Sequence, residues 1–490
     1  MAVSVNEKEL DRLVALVAAR VQEELSARSG GRPAAMLAPA VDAGAAADAR
    51  PQDGIFADME QAIEAARQSY AAFEEVSLAR RKVFVEAMRE CAVQNAEAWA
   101  RLAVEETGLG RVEHKIQKNL LAARKTPGVE DLVPLCYTGD DGMTLVEPAP
   151  FGVIGAITPC TNPAATIINN SLSIVSAGNA VVFNPHPSAR RVSNAAVAAL
   201  NGAIRRAGGP DRLLCSLARP SMESSQALMK HPAVRLLLVT GGGEVVKLAL
   251  ASGKRCVAAG PGNPPVIVDD TADVKKAARC IVDGASFDNN VLCTAEKEVF
   301  VFESMADALK QEMQRYGAFE LRGGQIEAAV KTLVEPGTPY PHPHKKFVGK
   351  DAAILAQAIG VSVPPETRLL IAEVGELAHP LIQAEMLMPI LPIMRVRDLD
   401  QALECARAAE HGFRHSAMMH SESVSNMTRV AREVECTIFV KNAPSYAGLG
   451  YGGEGYATLS IAGPTGEGLT SARTFTRQRR CVLAGGFRII

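Results

Sequence analysis

The chain has 490 residues, too many for one hydrophobic core, so two or three packed units are expected. Its 52 Lys and Arg against 54 Asp and Glu leave a net charge of -2, without the basic footprint that binding nucleic acid requires. The longest apolar runs, such as Val234 to Val239 with Arg235 inside it, fall well short of the ~20 residues of a bilayer span, and no signal-peptide core is visible, so a cytoplasmic protein without membrane association is expected.

Leu10, Leu13, Val14, Val17 and Val21 recur at helical spacing between charged and polar residues, which predicts a short amphipathic helix over residues 1–25. Residues 26–54 lose all periodicity and fill with Ala, Gly and Pro, the composition of a flexible linker. The globular body is expected from Ile55. Residues 57–125 predict helices, one of them ending at Gly108 as a C-terminal cap. GVIGAITP (152–159) then reads as a strand, PAATIINNSLSIVSAG as a helix, NAVVFNP (179–185) as a strand and SARRVSNAAVAALNGAIRRAGG as a helix. LLCSLA, ESSQALMKH and VRLLLVTGG (234–242) continue the alternation, and a second series begins at PPVIVDD and runs past 400. Nearly continuous apolar strands alternating with amphipathic helices predict an α/β protein with two parallel-type sheets, one Rossmann-like for a cofactor over 55–255 and one catalytic over 256–445, followed by a segment at 446–490.

Three stretches invite a ligand. GLGYGG (448–453) fits the dinucleotide pattern, but no helix follows it to hold a pyrophosphate, so a plain glycine-rich loop is expected. TGGGEVVK (240–247) has Val246 where a P-loop needs its second Gly; it does lie between a strand and a helix whose positive end suits a pyrophosphate. YPHPHKK (340–346) carries His342 and His344 on a Pro-stiffened loop without carboxylates or cysteines nearby to complete a metal shell, so no metal is expected; His186 closes a strand, where a ligand contact and a plain turn are equally compatible. The ten cysteines are scattered, with no CxxC pair, which fits reduced thiols. Cys293 alone follows a polar FDNN approach at a helix-to-strand junction, a setting where backbone N–H groups converge on a thiol.

Together GVIGAITPCTNPAATIINNSLSIVSAGNAVVFNPHP, LLVTGGGEVVK, GPGNPPVIVD, SFDNNVLCTAEKEV, EMLMPILPI and TGEGLTSARTFTR resemble the aldehyde dehydrogenase superfamily from about Ile55 onwards, and in particular the CoA-acylating propionaldehyde and acetaldehyde dehydrogenases of bacterial microcompartments. The resemblance implies an aldehyde dehydrogenase-like fold with Cys293 as nucleophile, Asn162 as an oxyanion donor, and NAD and coenzyme A as cofactors. It implies a cofactor site over Thr158, Pro159, Asn184, His186, Thr240, Gly241, Gly242, Gly243 and Glu385, the last orienting the nicotinamide ribose. Hydrolytic relatives read ELGGKNP, with the Glu activating water; here the stretch is AAGPGNP and Ala258 takes that place, so CoA is the expected acceptor. Asn184 replaces a Lys of NPHP-equivalent stretches and Val246 a Gly, which weakens the case for one particular nicotinamide cofactor. The expected substrate is propionaldehyde, with acetaldehyde second; a hydrolytic dehydrogenase and a non-catalytic packing component are the rival readings. The resemblance further implies a homodimer or homotetramer built through a strand pair near 137–149 and the C-terminus, a shell-protein contact through residues 1–25, and a place inside a microcompartment.

Overall fold

The computed structural model describes residues 51–490; the expected helix over 1–25 and the linker up to residue 50 lie outside the described residues. The last residues of the expected linker belong to the body: Pro51–Asp53 form a helical turn held by the Asn201 amide, which donates to the Asp53 carbonyl at 3.0 Å.

Helices Met59–Glu74 and Leu78–Thr107 follow, capped by Asp58 and Ser77 side chains that accept from the first turns. The long helix stops at Gly108, whose φ of 67° lies in the left-handed region that ends helices without a Cβ penalty. It packs against Val112–Lys125, Pro163–Ser176 and Arg190–Arg206.

Among the described residues, one sheet has six parallel strands in the order Ile55–Phe56, Leu214–Leu217, Ala180–Pro185, Val153–Thr158, Val234–Thr240 and Arg255–Ala259. Helices cover its strands, so Val153–Thr158 and Ala180–Pro185 are buried at every position, which is why they read as unbroken apolar runs rather than alternating ones. The chain leaves Val153–Thr158 toward one side of the sheet and returns to the other at Val234–Thr240. That reversal opens a crevice at the strands' carboxyl ends. Arg255–Ala259 pairs with Val234–Thr240 in this same sheet, so a division between 255 and 256 would cut a strand; the changeover lies beyond Ala259.

The second sheet has seven parallel strands in the order Ala318–Leu321, Leu369–Glu373, Ile390–Val396, Glu298–Phe302, Pro265–Val268, Ser416–His420 and Ile438–Lys441. Beside it, the YPHPHKK stretch pairs His342–Pro343 with Val334–Glu335, and contrary to expectation a carboxylate is near: that of Glu335 stands 3.6 Å from ring nitrogens of both His342 and His344.

A third, antiparallel sheet joins Leu135–Gly139, Gly142–Pro150 and Thr476–Ala484. Asn179 roots it, with its buried side-chain oxygen accepting from Phe151 N at 2.7 Å and Gly152 N at 3.0 Å while its amide donates to the Phe475 carbonyl at 2.9 Å. Away from this root Leu135, Tyr137, Val482 and Leu483 are exposed. Large apolar side chains gathered in the open on one small sheet are of the kind that protein–protein contacts commonly cover. Deleting residues 476–490, which leaves the buried Phe475 in place, is expected to reduce the sedimentation coefficient to that of a smaller species or to cause aggregation. Unchanged sedimentation would show that the strand plays no part in assembly.

Candidate active site

The crevice holds a cavity of about 540 Å³. Its walls are the ends of the first sheet's strands: Ile157 to Asn162, Asn184 to Pro187, Thr240 to Gly242, and Gly260 with Pro261. Val291, Cys293, Glu385 and Leu387 close it from the second unit. The structure thus brings together Cys293, Asn162, Thr158, Pro159, Asn184, His186, Thr240, Gly241, Gly242 and Glu385 from five separate stretches of chain. Gly243 stands one residue behind the lining, as the first residue of helix Gly243–Leu250. GLGYGG is elsewhere: the carbonyls of Gly450 and Gly453 accept from Lys125 Nζ at 2.6 and 3.0 Å, so this loop serves a lysine rather than a nucleotide.

The lining suits a dinucleotide. The buried Thr158 hydroxyl has no partner among the described residues, and no side chain caps helix Gly243–Leu250, leaving its first N–H groups for an anion. A Cβ at Gly241 or Gly242 would meet nothing within 4 Å, so this turn is open rather than packed. Asn184 lines the cavity, but its amide is spent internally, donating to Ser225 Oγ at 2.7 Å and accepting from Ser224 Oγ at 2.7 Å. His186 is exposed, and its Nδ1 faces Ser188 Oγ at 2.7 Å. The Thr240 hydroxyl meets Ser460 Oγ at 2.9 Å.

Cys293 owes its place to the residues before it. Asp288, Asn289 and Asn290 take φ values of 50°, 53° and 64°, three consecutive left-handed residues that cost on the order of 1 kcal/mol each. Each side chain is tied down. Asn289 donates to the Gly349 carbonyl at 2.9 Å and to Asp351 Oδ1 at 2.8 Å, and accepts from Arg111 Nε at 3.0 Å. The Asn290 amide bridges the Ala285 and Glu296 carbonyls at 2.8 and 3.0 Å, while its oxygen accepts from Lys297 Nζ at 2.6 Å. Asp288 is wholly buried and accepts from Arg111 N at 2.7 Å, from Lys115 Nζ at 3.0 Å and from Lys118 Nζ. Gly110 must be glycine here, because its φ is 73° and a Cβ would fall 2.1 Å from Asp288 Oδ1. Phe287 stacks on His114 at 4.6 Å and packs against Tyr446 and Tyr451.

The same lysines reach the other wall. Lys115 donates to the Thr161 carbonyl at 3.0 Å, and Lys118 donates to the Asn162 side-chain oxygen. That second contact fixes the orientation of the amide, leaving its NH₂ on the Thr161 side, where Nδ2 lies 3.2 Å from Thr161 Oγ1. Burial opposes the charge on Asp288, yet Lys115 and Lys118 hold its carboxyl below the usual range; burial draws Lys118 down to about 8 against the pull of Asp288. Burial, with Glu385 opposite, pushes the Cys293 thiol up to about 12. Glu385 is raised by burial to about 7. Ala258 is wholly buried, its N–H donating to Thr465 Oγ1 at 3.0 Å, so no carboxylate stands at that position.

The lysines escaped the sequence reading, because Lys115 and Lys118 look like the polar face of an ordinary helix and nothing in their spacing names a distant aspartate. Cys160, a second thiol in the cavity wall, lay unnoticed within the PCTNP stretch. Replacing Asp288 with Ala leaves two ammonium groups buried without their carboxylate and is expected to cost about 3 to 5 kcal/mol. Urea unfolding measures this, and a loss below about 1 kcal/mol would show that the pair does not hold the loop.

Residues 5–329 match the Aldehyde dehydrogenase family. The chain is 48% identical over 442 residues to the Salmonella typhimurium "Acetaldehyde dehydrogenase (acetylating) EutE", a match that spans 89% of this chain and 94% of that protein. A propionaldehyde dehydrogenase from the Clostridium phytofermentans fucose utilisation bacterial microcompartment superposes with a TM-score of 0.87 at 48% identity, covering 89% of this chain and 100% of that one. The Rhodopseudomonas palustris propionaldehyde dehydrogenase, solved with bound CoA and an acylated cysteine, gives 0.85 at 46% identity over 88% of this chain and 98% of its own. With these relatives and with the thiol, the crevice and the missing carboxylate in place, the chain belongs to the aldehyde dehydrogenase family, in its CoA-acylating branch.

Proposed function

We propose that this enzyme converts a short-chain aldehyde, NAD and CoA to acyl-CoA and NADH through a thioester on Cys293. The observation that carries this reading is the cavity itself, which Cys293 and Asn162 line from opposite walls while Ala258 leaves no carboxylate for water. Cys293 adds to the aldehyde carbon, and the resulting oxyanion is held by the Cys293 N–H and Asn162 Nδ2, the amide that Lys118 orients. Thr158, the Thr240–Gly243 turn and Glu385 hold NAD, which supplies the hydride acceptor when bound. The thioester then waits in a site without a general base for water, and the CoA thiol takes the acyl group and releases Cys293.

Propionaldehyde is the favoured substrate. Val291 and Leu387 present apolar surface in the same cavity as Cys293, and one further buried methylene is worth about 0.8 kcal/mol, roughly a fourfold preference over acetaldehyde. Comparing kcat/KM for the two aldehydes tests it; a preference for acetaldehyde would reverse the assignment. Residues 1–25 we assign to docking on a microcompartment shell protein, because their Leu and Val stripe fits a groove and the resembling enzyme works in a microcompartment.

Cys293→Ala is expected to abolish NADH formation while cofactor binding survives. Without CoA, the unaltered enzyme should give a burst of about one NADH per site and then a slow rate. Fast turnover without CoA would instead mark a hydrolytic enzyme. Residues 1–30 fused to a fluorescent protein and co-expressed with shell proteins should form puncta that Leu13→Glu with Val17→Glu disperses, and diffuse fluorescence from the unmutated fusion would remove the docking role.

A further inference from the structure

The thiol of Cys293 is hard to ionise where it sits, so something must accept its proton. Among the described residues lining the cavity, Glu385 is the only carboxylate and His186 the only imidazole. His186 is exposed, and its Nδ1 is engaged by Ser188. Glu385 and Cys293 line the same cavity and both border Gly262. A Cβ there would fall 2.9 Å from the Cys293 carbonyl oxygen and 2.8 Å from the His415 ring, and the Gly262 N–H faces the Glu385 carboxyl.

Behind them lies Lys297, 1% exposed. Its Nζ donates to the Asn290 carbonyl at 3.0 Å, to Asn290 Oδ1 at 2.6 Å and to the Leu292 carbonyl at 2.9 Å. All three hydrogens go to neutral oxygens on the turn that carries Cys293. The ammonium is therefore hydrogen-bonded without being neutralised by contact, and its charge acts on Glu385 first and on Cys293 next.

We propose that Glu385 is the base that takes the Cys293 proton, with Lys297 as the fixed counter-charge that keeps the pair at one anion before and after the transfer. This rests on Cys293 being the nucleophile. The S–H bond of Cys293 breaks, an O–H bond forms on a Glu385 oxygen, and the negative charge passes from oxygen to sulfur. No charge is created in the buried site, so the cost of desolvating a new anion is avoided. Glu385 is then a catalytic residue and Lys297 a positioning one.

The other groups around this pair are accounted for. Lys118 faces Cys293 and lowers the cost of the thiolate. Glu298 is pushed up by burial, with Lys297 pulling the other way and Glu410 adding to the rise; burial and Lys297 bring His415 down to about 4, so it stays neutral. Glu296 is raised by burial to about 7, but it accepts from Ser445 N and Oγ at 2.8 Å each and does not line the cavity.

The test uses the full-length protein without cofactor, alkylated by iodoacetamide across the pH range, with Cys293 followed by peptide mass. Two coupled sites release their first proton earlier than either site alone, and a neutral Gln mimics protonated Glu385. Alkylation of the unaltered enzyme should therefore level off above about pH 7, whereas in Glu385→Gln it should continue to climb for about one further pH unit or more. Lys297→Met should delay the levelling in the same direction, and Glu385→Asp should restore it. In the NADH burst at saturating cofactor, Glu385→Gln should be slower by about 100-fold, the usual contribution of a general base. Levelling at the same pH in Glu385→Gln as in the unaltered enzyme overturns the proposal, and so does levelling that disappears in Glu296→Gln while surviving in Glu385→Gln. A burst that persists in Cys293→Ala would instead refute the nucleophile; absence of that burst together with an unaltered Glu385→Gln profile refutes the base alone.

Discussion

The buried contact of Asp288 with Lys115 and Lys118 is the constraint on which the rest of this site depends. It joins the helix Val112–Lys125 to the turn before Cys293, and through Lys118 it reaches Asn162 on the opposite wall. One carboxylate thus ties the turn that carries Cys293 to the Asn162 amide, the two groups proposed as nucleophile and oxyanion donor. Two cations on one anion would be unfavourable in isolation; neutral acceptors at Thr161 and Asn162 take up one further hydrogen from each lysine. The left-handed run at Asp288, Asn289 and Asn290 is stable only because every one of the three side chains is bonded to a different element.

A second theme is the distribution of charge across the cavity. Where hydrolytic relatives place a water-activating carboxylate, this chain has Ala258 on a wholly buried strand end, and the thioester is left to a sulfur nucleophile. The carboxylate that the cavity does hold is Glu385, across Gly262 from the Cys293 backbone and under the charge of the Lys297 ammonium. Acceptor choice and thiol ionisation are therefore served by different carboxylate positions, one absent and one retained. The apolar remainder of the lining, Ile157, Val291, Leu387 and Leu459, strengthens these electrostatic effects by keeping water out.

Much of this was legible in the sequence. Burial on both faces writes itself into a strand as an apolar run, so Val153–Thr158, Ala180–Pro185 and Val234–Thr240 were foreseen nearly to the residue, as was the helix end at Gly108. Cys293 stood out through the FDNN stretch before it, whereas Asn162 and Glu385 were named only by the family resemblance of the stretches that carry them. The strand Arg255–Ala259 was assigned to the wrong side of a boundary because its apolar run looks the same in either sheet, and only its pairing with Val234–Thr240 decides.

What the sequence determined by itself was therefore whatever is written in neighbouring residues: strand and helix periods, caps, the glycine turn at 241–243, and the substitution of Ala258. The tertiary structure alone decided which distant charges meet. Lys115 and Lys118 precede Asp288 by some 170 residues, a separation at which no pattern in the chain records a contact. A buried ion pair leaves no periodic trace, because its stability comes from the low-dielectric surroundings that folding creates and not from the residues that flank it.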